Sequence, residues 1–559
     1  MAAKNKNKPI VPPSTAQNLS FIDKHSNLIF WILTAITAIT ALSIFNLRVD
    51  EGGDDSTYIC RAMDLVAEGK YPTYQGPLYP IFLGIFVAIF SANLLILKLT
   101  SFLLILASQF IFYRTLRGNL NIRLALAVVA LMSVNSWYLA FASLTYSEAL
   151  YIVVMYLFFS ALMRYETAAK ANFKDDFFAS IPSGMLVVAA FLIRTIGGAL
   201  GLVGVIYFCI KRQFRKAEML VLSILAVSLI WIGIRAAIWG EIKSDNQQLT
   251  SLMQKHPYQV DQGQETISGY FGRFVDNSTI YISKHLMRIA GFKDPNNRET
   301  NNAVTVIIYA LFAFGTFIAF RRNRFVFFMA ITSAIMLGLT FVVLQALWEQ
   351  YRLIIPYVPM AYVVILYGIY HLLKHFFGKH AHILSLIIVL FSGALSLAQT
   401  GDKVDIKVLT NNLKGDRLYG YTPDWYNYLN MCQKINEIVP DSAYVACRKP
   451  NMARIYADGR KFYGIYNFYT EDADELIDRL RERGVTHIIV GSLRRDPQNP
   501  GQGVINTIHR YMNFVIKKYP QTFRRVAQTG DANSEPAWLF SIDYQHVDDI
   551  RQTASENEK

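Results

Sequence analysis

Three groups of ionisable residues stand beside long apolar runs, and their types suit chemistry on an anionic, membrane-borne substrate. The first is Asp54-Asp55, which follows Gly52-Gly53 and precedes Ser56-Thr57-Tyr58. Carboxylates placed there either cap a helix expected over 56–69 or take a proton from a hydroxyl. The second is Glu148, in Thr145-Tyr146-Ser147-Glu148-Ala149-Leu150, where a further apolar stretch begins. It fits a capping role, but an ionisable group flanked by apolar spans is costly enough to point to function. The third is a pair of arginines. Arg194 interrupts Leu192-Ile193 and Thr195-Ile196, and Arg352 lies in Glu349-Gln350-Tyr351-Arg352. Each either snorkels or pairs, Arg352 with Glu349, or closes a guanidinium fork on a phosphate.

The elements that must position these residues belong to a membrane. The chain has 559 residues, 53% hydrophobic and 17% charged, against about 25% charged in an ordinary soluble domain. Runs such as Asn27–Phe45 and Phe325–Leu344 reach the roughly 20 residues that cross a bilayer. A soluble enzyme, a disordered chain and a fibrous protein are excluded. The 55 Lys+Arg exceed the 41 Asp+Glu, which fits basic cytoplasmic loops and not a nucleic-acid partner. The sequence predicts a polytopic α-helical membrane protein with about 11 spans, at 27–46, 93–113, 121–140, 149–164, 178–193, 197–211, 217–240, 302–320, 324–346, 353–374 and 381–399. The connections holding Arg114/Arg117/Arg123, Arg164/Lys170/Lys174, Lys211/Arg212/Arg215/Lys216, Arg321/Arg322/Arg324 and Lys374/Lys379 then share one face with the basic N-terminus. That face is cytoplasmic, which puts the C-terminus outside. This parity reads Leu78–Phe90, at 13 residues, as interfacial or re-entrant and splits 178–211 into a hairpin at Arg194-Thr195-Ile196-Gly197-Gly198. The first span lacks a small-residue cleavage site and reads as retained.

Three regions follow: a cytoplasmic segment 1–26, a membrane domain 27–400 with external loops 47–77 and 241–301, and an external α/β domain 401–559. In the first loop Tyr58, Ala62, Leu65 and Val66 share a helix face that suits the bilayer surface, and Thr279–Phe292 reads as an amphipathic surface helix. In the tail, helices are expected at Asp424–Ile438, Asp472–Arg483 and Val504–Lys518. Strands are expected at Ala443–Cys447, Thr486–Val490, Arg524–Gln528 and Ala537–Ile542. Cys432 and Cys447 fall in this domain and can form a disulfide in an oxidising compartment, although two residues do not make a framework. His371 and His375, with His380 and His382 nearby, read as a solvated basic connection and not as a metal site. Lys98 and Arg235 either snorkel or line a cavity, while Trp137, Tyr138 and Trp239 read as interface-belt aromatics.

The motifs in order resemble C-type glycosyltransferases that use lipid-phosphate sugars, nearest to the protein O-mannosyltransferase and aminoarabinose (lipid A) transferase branch. Asp54-Asp55 with Tyr58, Gly69 and Tyr71 is similar to the family's first external loop. Gly76-Pro77-Leu78-Tyr79-Pro80 resembles its Pro-Pro-Leu-Tyr segment, Thr145–Leu150 its second acidic motif, Leu192-Ile193-Arg194 its Leu-Thr-Arg, and Tyr351-Arg352 through Pro359 its Arg-Tyr before a proline-containing span. The match covers most of 28–375. It departs where Asp55 replaces Glu, Gly76 replaces Pro and Glu148 replaces Asp. The resemblance implies transfer of one sugar from a polyprenyl-phosphate carrier to a hydroxyl of a protein, glycan or lipid acceptor, by single displacement with inversion, outside a bacterial inner membrane. It aligns Asp54 with the general base, Asp55 with its supporting acid, Glu148 with an acceptor-side acid, and Arg194 and Arg352 with phosphate binding. Tyr58, Tyr79, Glu349 and Tyr351 are further candidates. No cofactor is required, and a divalent metal is left open. The alternative is a transporter or flippase for a lipid-linked or anionic substrate. Against it, the acids sit outside the midplane and no inverted repeat is visible.

Overall fold

The computed structural model describes all residues except 1–20, 74, 169–171, 241–249, 251, 257–261, 293–299, 469, 498–499, 532, 534 and 558–559. Most of the N-terminal segment 1–26 and parts of the loop 241–301 therefore lie outside the described residues. Each of the eleven segments read as spans is helical. Among the described residues, eight helical stretches are long and apolar enough to cross a membrane, or nine when Ile122–Ser133 and Ser136–Ala142, bent by 65°, count as one. The bend falls at Asn135, whose side chain caps the second piece by accepting from the Tyr138 amide. The last of the eight, Tyr351–Gly401, contains two helices, Val358–Phe377 and Ala381–Gly401, which pack against each other across a 3₁₀ turn.

Between the spans at 173–193 and 199–210 the chain turns through a 3₁₀ segment, Thr195–Gly198. Glycine is needed here because a Cβ on Gly197 would stand 2.2 Å from the Ala190 carbonyl oxygen. Leu78–Phe90 is a 13-residue helix. The first-loop helix, Asp54–Glu68, begins at Gly53 (φ 89°) and ends at Gly69 (φ 65°), both in the left-handed region that glycine tolerates. Its apolar face does not lie free on a bilayer, as the sequence suggested. It packs on Leu78–Phe90, where Gly84 admits Leu65 and Val66. The expected surface helix Thr279–Phe292 is longer on its N-terminal side, running from Ile267 to Ile289 with a π-helical stretch at Ile280–Leu286. The neighbouring aromatics Trp137 and Tyr138 both have partners within the protein. Tyr138 is buried and hydrogen-bonds Ser108, and Trp137 donates to Gln399.

The tail forms a five-stranded sheet of β1 (Tyr444–Cys447), β2 (Phe462–Gly464), β3 (Val485–Gly491), β4 (Phe523–Thr529) and β5 (Ala537–Ile542), in the order β2-β1-β3-β5-β4. β2, β1 and β3 are parallel, while β5 and β4 pair antiparallel. Helices Ala473–Glu482 and Thr507–Lys518 build a core of Leu476, Ile477, Leu480, Ile508, Tyr511 and Val515 on one face. Helix Pro423–Gln433 covers the other face, and its Trp425, Tyr428 and Leu429 join the core shared with the membrane domain. Cys432 and Cys447 are buried free thiols.

The tail is built onto the first loop. Helix Pro450–Tyr456 lies along Asp54–Glu68. Arg454 pairs with Asp64 at 2.7 Å, and the Asn451 amide donates to Thr57 Oγ1 at 3.0 Å. Tyr421 donates to the Val49 carbonyl, and the Leu47 amide donates to Asn412.

Candidate functional site

Local hydrogen bonding explains how the acidic motif is shaped. Asp55 is fully buried and accepts from the Asp50 amide at 2.9 Å and the Ser56 amide at 2.7 Å. It closes the loop 50–55 on itself, assisted by the Gly53 amide on the Asp50 carbonyl at 2.9 Å. Burial, and then the neighbouring Asp50, lift its carboxyl above the ordinary range. Asp50 in turn accepts from the Gly52 amide and from the Tyr146 hydroxyl. Lys98, buried inside the helix Leu94–Asn119, donates to the Arg48 carbonyl and, at 2.8 Å, to the Ser143 carbonyl. It thereby ties the start of the first loop to the turn that precedes Glu148.

The loop turns Asp54 outward. Its side chain keeps 35% of its exposure, and the Arg352 guanidinium donates to it. Arg352 also lies over the Tyr146 ring at 5.0 Å. Next to this pair, Arg194 meets Glu148 at 2.6 Å, with Glu148 only 2% exposed. Arg194 donates as well to Ser147 Oγ at 3.2 Å, and Ser147 exchanges a hydrogen bond with Tyr58 at 3.2 Å. Tyr58 packs edge-on against Tyr79, with ring centroids 5.0 Å apart. Each arginine lies in the field of the other, and Arg352 also feels Glu148. The structure thus brings together Asp54, Asp55, Glu148, Arg194, Arg352, Tyr58 and Tyr79.

Glu349 and Tyr351 sit to one side. Arg352 does not pair with Glu349. That carboxylate instead meets Lys284 at 2.5 Å and His285 at 3.2 Å, both on the π-helical stretch. The His285 contact first, and Lys284 with it, hold Glu349 down at about 2. This pair of contacts anchors the loop that carries Arg352. Tyr351 stacks edge-on against Trp137 at 4.4 Å. Sequence reasoning did not single out Asp50, Tyr146 and Ser147, although all three flank the chosen motifs.

Gly76 stands where the resembled family has proline, and the structure explains why this chain needs glycine. A Cβ there would lie 2.2 Å from the Ile193 carbonyl oxygen and 2.4 Å from that of Leu192. The backbone next to Arg194 leaves no room. Gly76→Ala is therefore expected to cost about 3 kcal/mol, the upper end for overpacking a rigid site, and to displace Arg194. A lower melting temperature together with lost activity checks this; a wild-type melt would contradict it.

Fold and site together define a polytopic helical membrane protein with paired carboxylates and guanidinium groups where its first loop meets a docked α/β tail. The chain has the fold of ArnT from Cupriavidus metallidurans. It superposes on the apo structure with a TM-score of 0.56 at 11% identity, covering 93% of this chain and 99% of that one. It superposes on ArnT bound to undecaprenyl phosphate with a TM-score of 0.55 at 12% identity, covering 92% and 98%. No family model and no curated protein matches the sequence. The likeness is one of fold, and it agrees with the branch that the motifs resemble.

Proposed function

We propose that this protein transfers one sugar from a polyprenyl-phosphate carrier to an acceptor hydroxyl on the external side of the membrane. One observation carries the reading. Of the three acids in the site, Asp54 alone stays open to an incoming group, and it does so against a guanidinium fork. The solved ArnT complex with undecaprenyl phosphate supports a donor of this class.

In this reading the donor phosphate competes with Asp54 for Arg352 and with Glu148 for Arg194. Phosphate taken by the guanidinium groups leaves Asp54 a free carboxylate beside the anomeric carbon. The acceptor O–H passes its proton to Asp54 as its oxygen bonds to that carbon from the face opposite the leaving group. The carbon–oxygen bond to phosphate breaks, and its electron pair stays on the polyprenyl phosphate, where the arginines stabilise the added charge. The anomeric configuration inverts. Asp55, closed around backbone amides, shapes the loop, and buried Glu148 orients Arg194. No step here draws on a cofactor.

The acceptor is identified in cells. Glycans and envelope lipids from deletion cells carrying wild-type protein should differ by one sugar residue from those of cells carrying Asp54→Asn; identical mass profiles would count against the reading and favour transport. Sidedness is tested separately. Without its four native cysteines, the protein carrying Ser442→Cys in the tail should react with an impermeant thiol reagent in intact spheroplasts. Asn323→Cys, between Arg322 and Arg324, should react only after lysis. Labelling at 323 in intact cells would reverse the orientation and place the acids on the wrong side.

A further inference from the structure

Lys449 reaches from the tail to the turn just before Asp54. Lys449 follows the end of β1 and precedes helix Pro450–Tyr456. Its ammonium donates to the Glu51 carbonyl at 2.7 Å and the Gly52 carbonyl at 3.3 Å, the two peptide groups just before Gly53-Asp54. A Cβ on Gly53 would stand 3.7 Å from the ammonium nitrogen, so the lysine runs directly against the turn. The residue is itself held from behind: its amide donates to the buried Tyr428 hydroxyl at 3.1 Å, and its ammonium lies 5.6 Å from the Trp425 ring centroid. Lys449 is thus fixed by the tail core at one end and by the acidic turn at the other.

We infer that Lys449 is a positioning residue for Asp54, holding the 51–54 turn from the tail side and supplying the positive charge that remains near this carboxylate when phosphate occupies Arg352. The inference rests on the reading of Asp54 as base. The charged groups facing the ammonium are Asp50, Glu51 and Asp54 on the first loop and Arg448 beside it in sequence. Burial first, then Arg448, lower Lys449 to about 8, with the acids opposing. The ammonium therefore loses its proton on the alkaline side of neutrality, and the support it gives to the turn goes with it. The tail then acts as a part of the site and not as an appended module.

Lys449→Gln keeps a donor for the two carbonyls but removes the charge, whereas Lys449→Arg keeps the charge at any working pH. In full-length protein, Lys449→Gln is expected to lower kcat about tenfold while the KM for polyprenyl-phosphate sugar stays within twofold. Lys449→Arg should restore most of the activity and extend it beyond the alkaline fall expected of the wild-type protein near pH 8. Wild-type kcat in a folded Lys449→Gln protein would overturn the inference, and so would equal impairment of the Gln and Arg variants. Should the Gln variant fail to fold, the Arg variant decides alone, because an alkaline limb that does not move contradicts the role. Activity in Asp54→Asn would defeat the base reading itself. An inactive Asp54→Asn beside a normal Lys449→Gln would defeat only the role of Lys449.

Discussion

Asp54→Asn is expected to bind the donor and transfer nothing measurable above about 10⁻³ of the wild-type rate, within the range for losing a general base. The amide matches the carboxylate in shape but takes no proton. Folding should survive the change. Asp54 and Arg352 are 35% and 27% exposed at the side chain, and an ion pair so open to water contributes about 1 kcal/mol or less. Asp55→Asn should behave differently. Asp55 accepts from two backbone amides with no exposure, and an Asn side chain turns a donor toward one of them. Leaving such a buried amide unmatched costs about 1–3 kcal/mol, so this variant should lose stability first and activity in proportion. Near-normal turnover in well-folded Asp54→Asn would remove the base from this position, and a complete loss confined to Asp55→Asn would move it one residue along.

Arg352→Ala should weaken donor binding and slow transfer together, by a total of about 3 kcal/mol, the scale for removing one charge-stabilising donor from an active site. Arg194→Ala should lose as much and also destabilise the fold, because it leaves Glu148 buried at 2% exposure without its partner. Arg352→Lys should recover only part of the loss, since an ammonium lacks the bidentate fork. Glu349→Ala separates two accounts of Arg352. Its carboxylate holds Lys284 and His285, not Arg352, so this variant should loosen the 349–352 loop without reproducing the Arg352→Ala loss in donor affinity. Donor affinity unchanged in both Arg→Ala proteins would place the phosphate elsewhere, with Lys98 and Arg235 the next residues to test.

Local pattern carries much of this architecture in the sequence. Apolar runs of bilayer length mark the helices, Gly69 and Gly484 mark helix ends in the left-handed region, and alternation in the tail marks β5 at the bounds observed, Ala537–Ile542. Partnering across the chain is not legible in this way. Asp54 and Arg352 are 298 positions apart, and sequence offered Arg352 an equally sensible neighbour in Glu349, three residues away. Only the π-helical stretch that brings Lys284 and His285 to Glu349 decides between them. The amphipathic first-loop helix shows the same limit. Its apolar face fits a bilayer or another helix equally well by periodicity, and the 13-residue helix Leu78–Phe90 is what covers it. Short elements were missed for a related reason. β2, with three residues, and helix Pro450–Tyr456, with seven, are held by the strands and the loop they pack against more than by their own pattern. Lys449 lies at one of those junctions, so a lysine unremarkable in sequence stands beside the acidic turn in the fold.

Turnover of a defined donor tests the central claim most directly. Purified protein in detergent is given polyprenyl phosphate carrying a radiolabelled sugar, together with a membrane extract as the source of acceptor, and label leaving the carrier fraction is followed. The account predicts that wild-type protein moves the label from the carrier to acceptor material and frees polyprenyl phosphate in equal amount, while Asp54→Asn leaves the label on the carrier. Label that stays on the carrier with wild-type protein and acceptor extract present, or that leaves equally fast with Asp54→Asn, would contradict it.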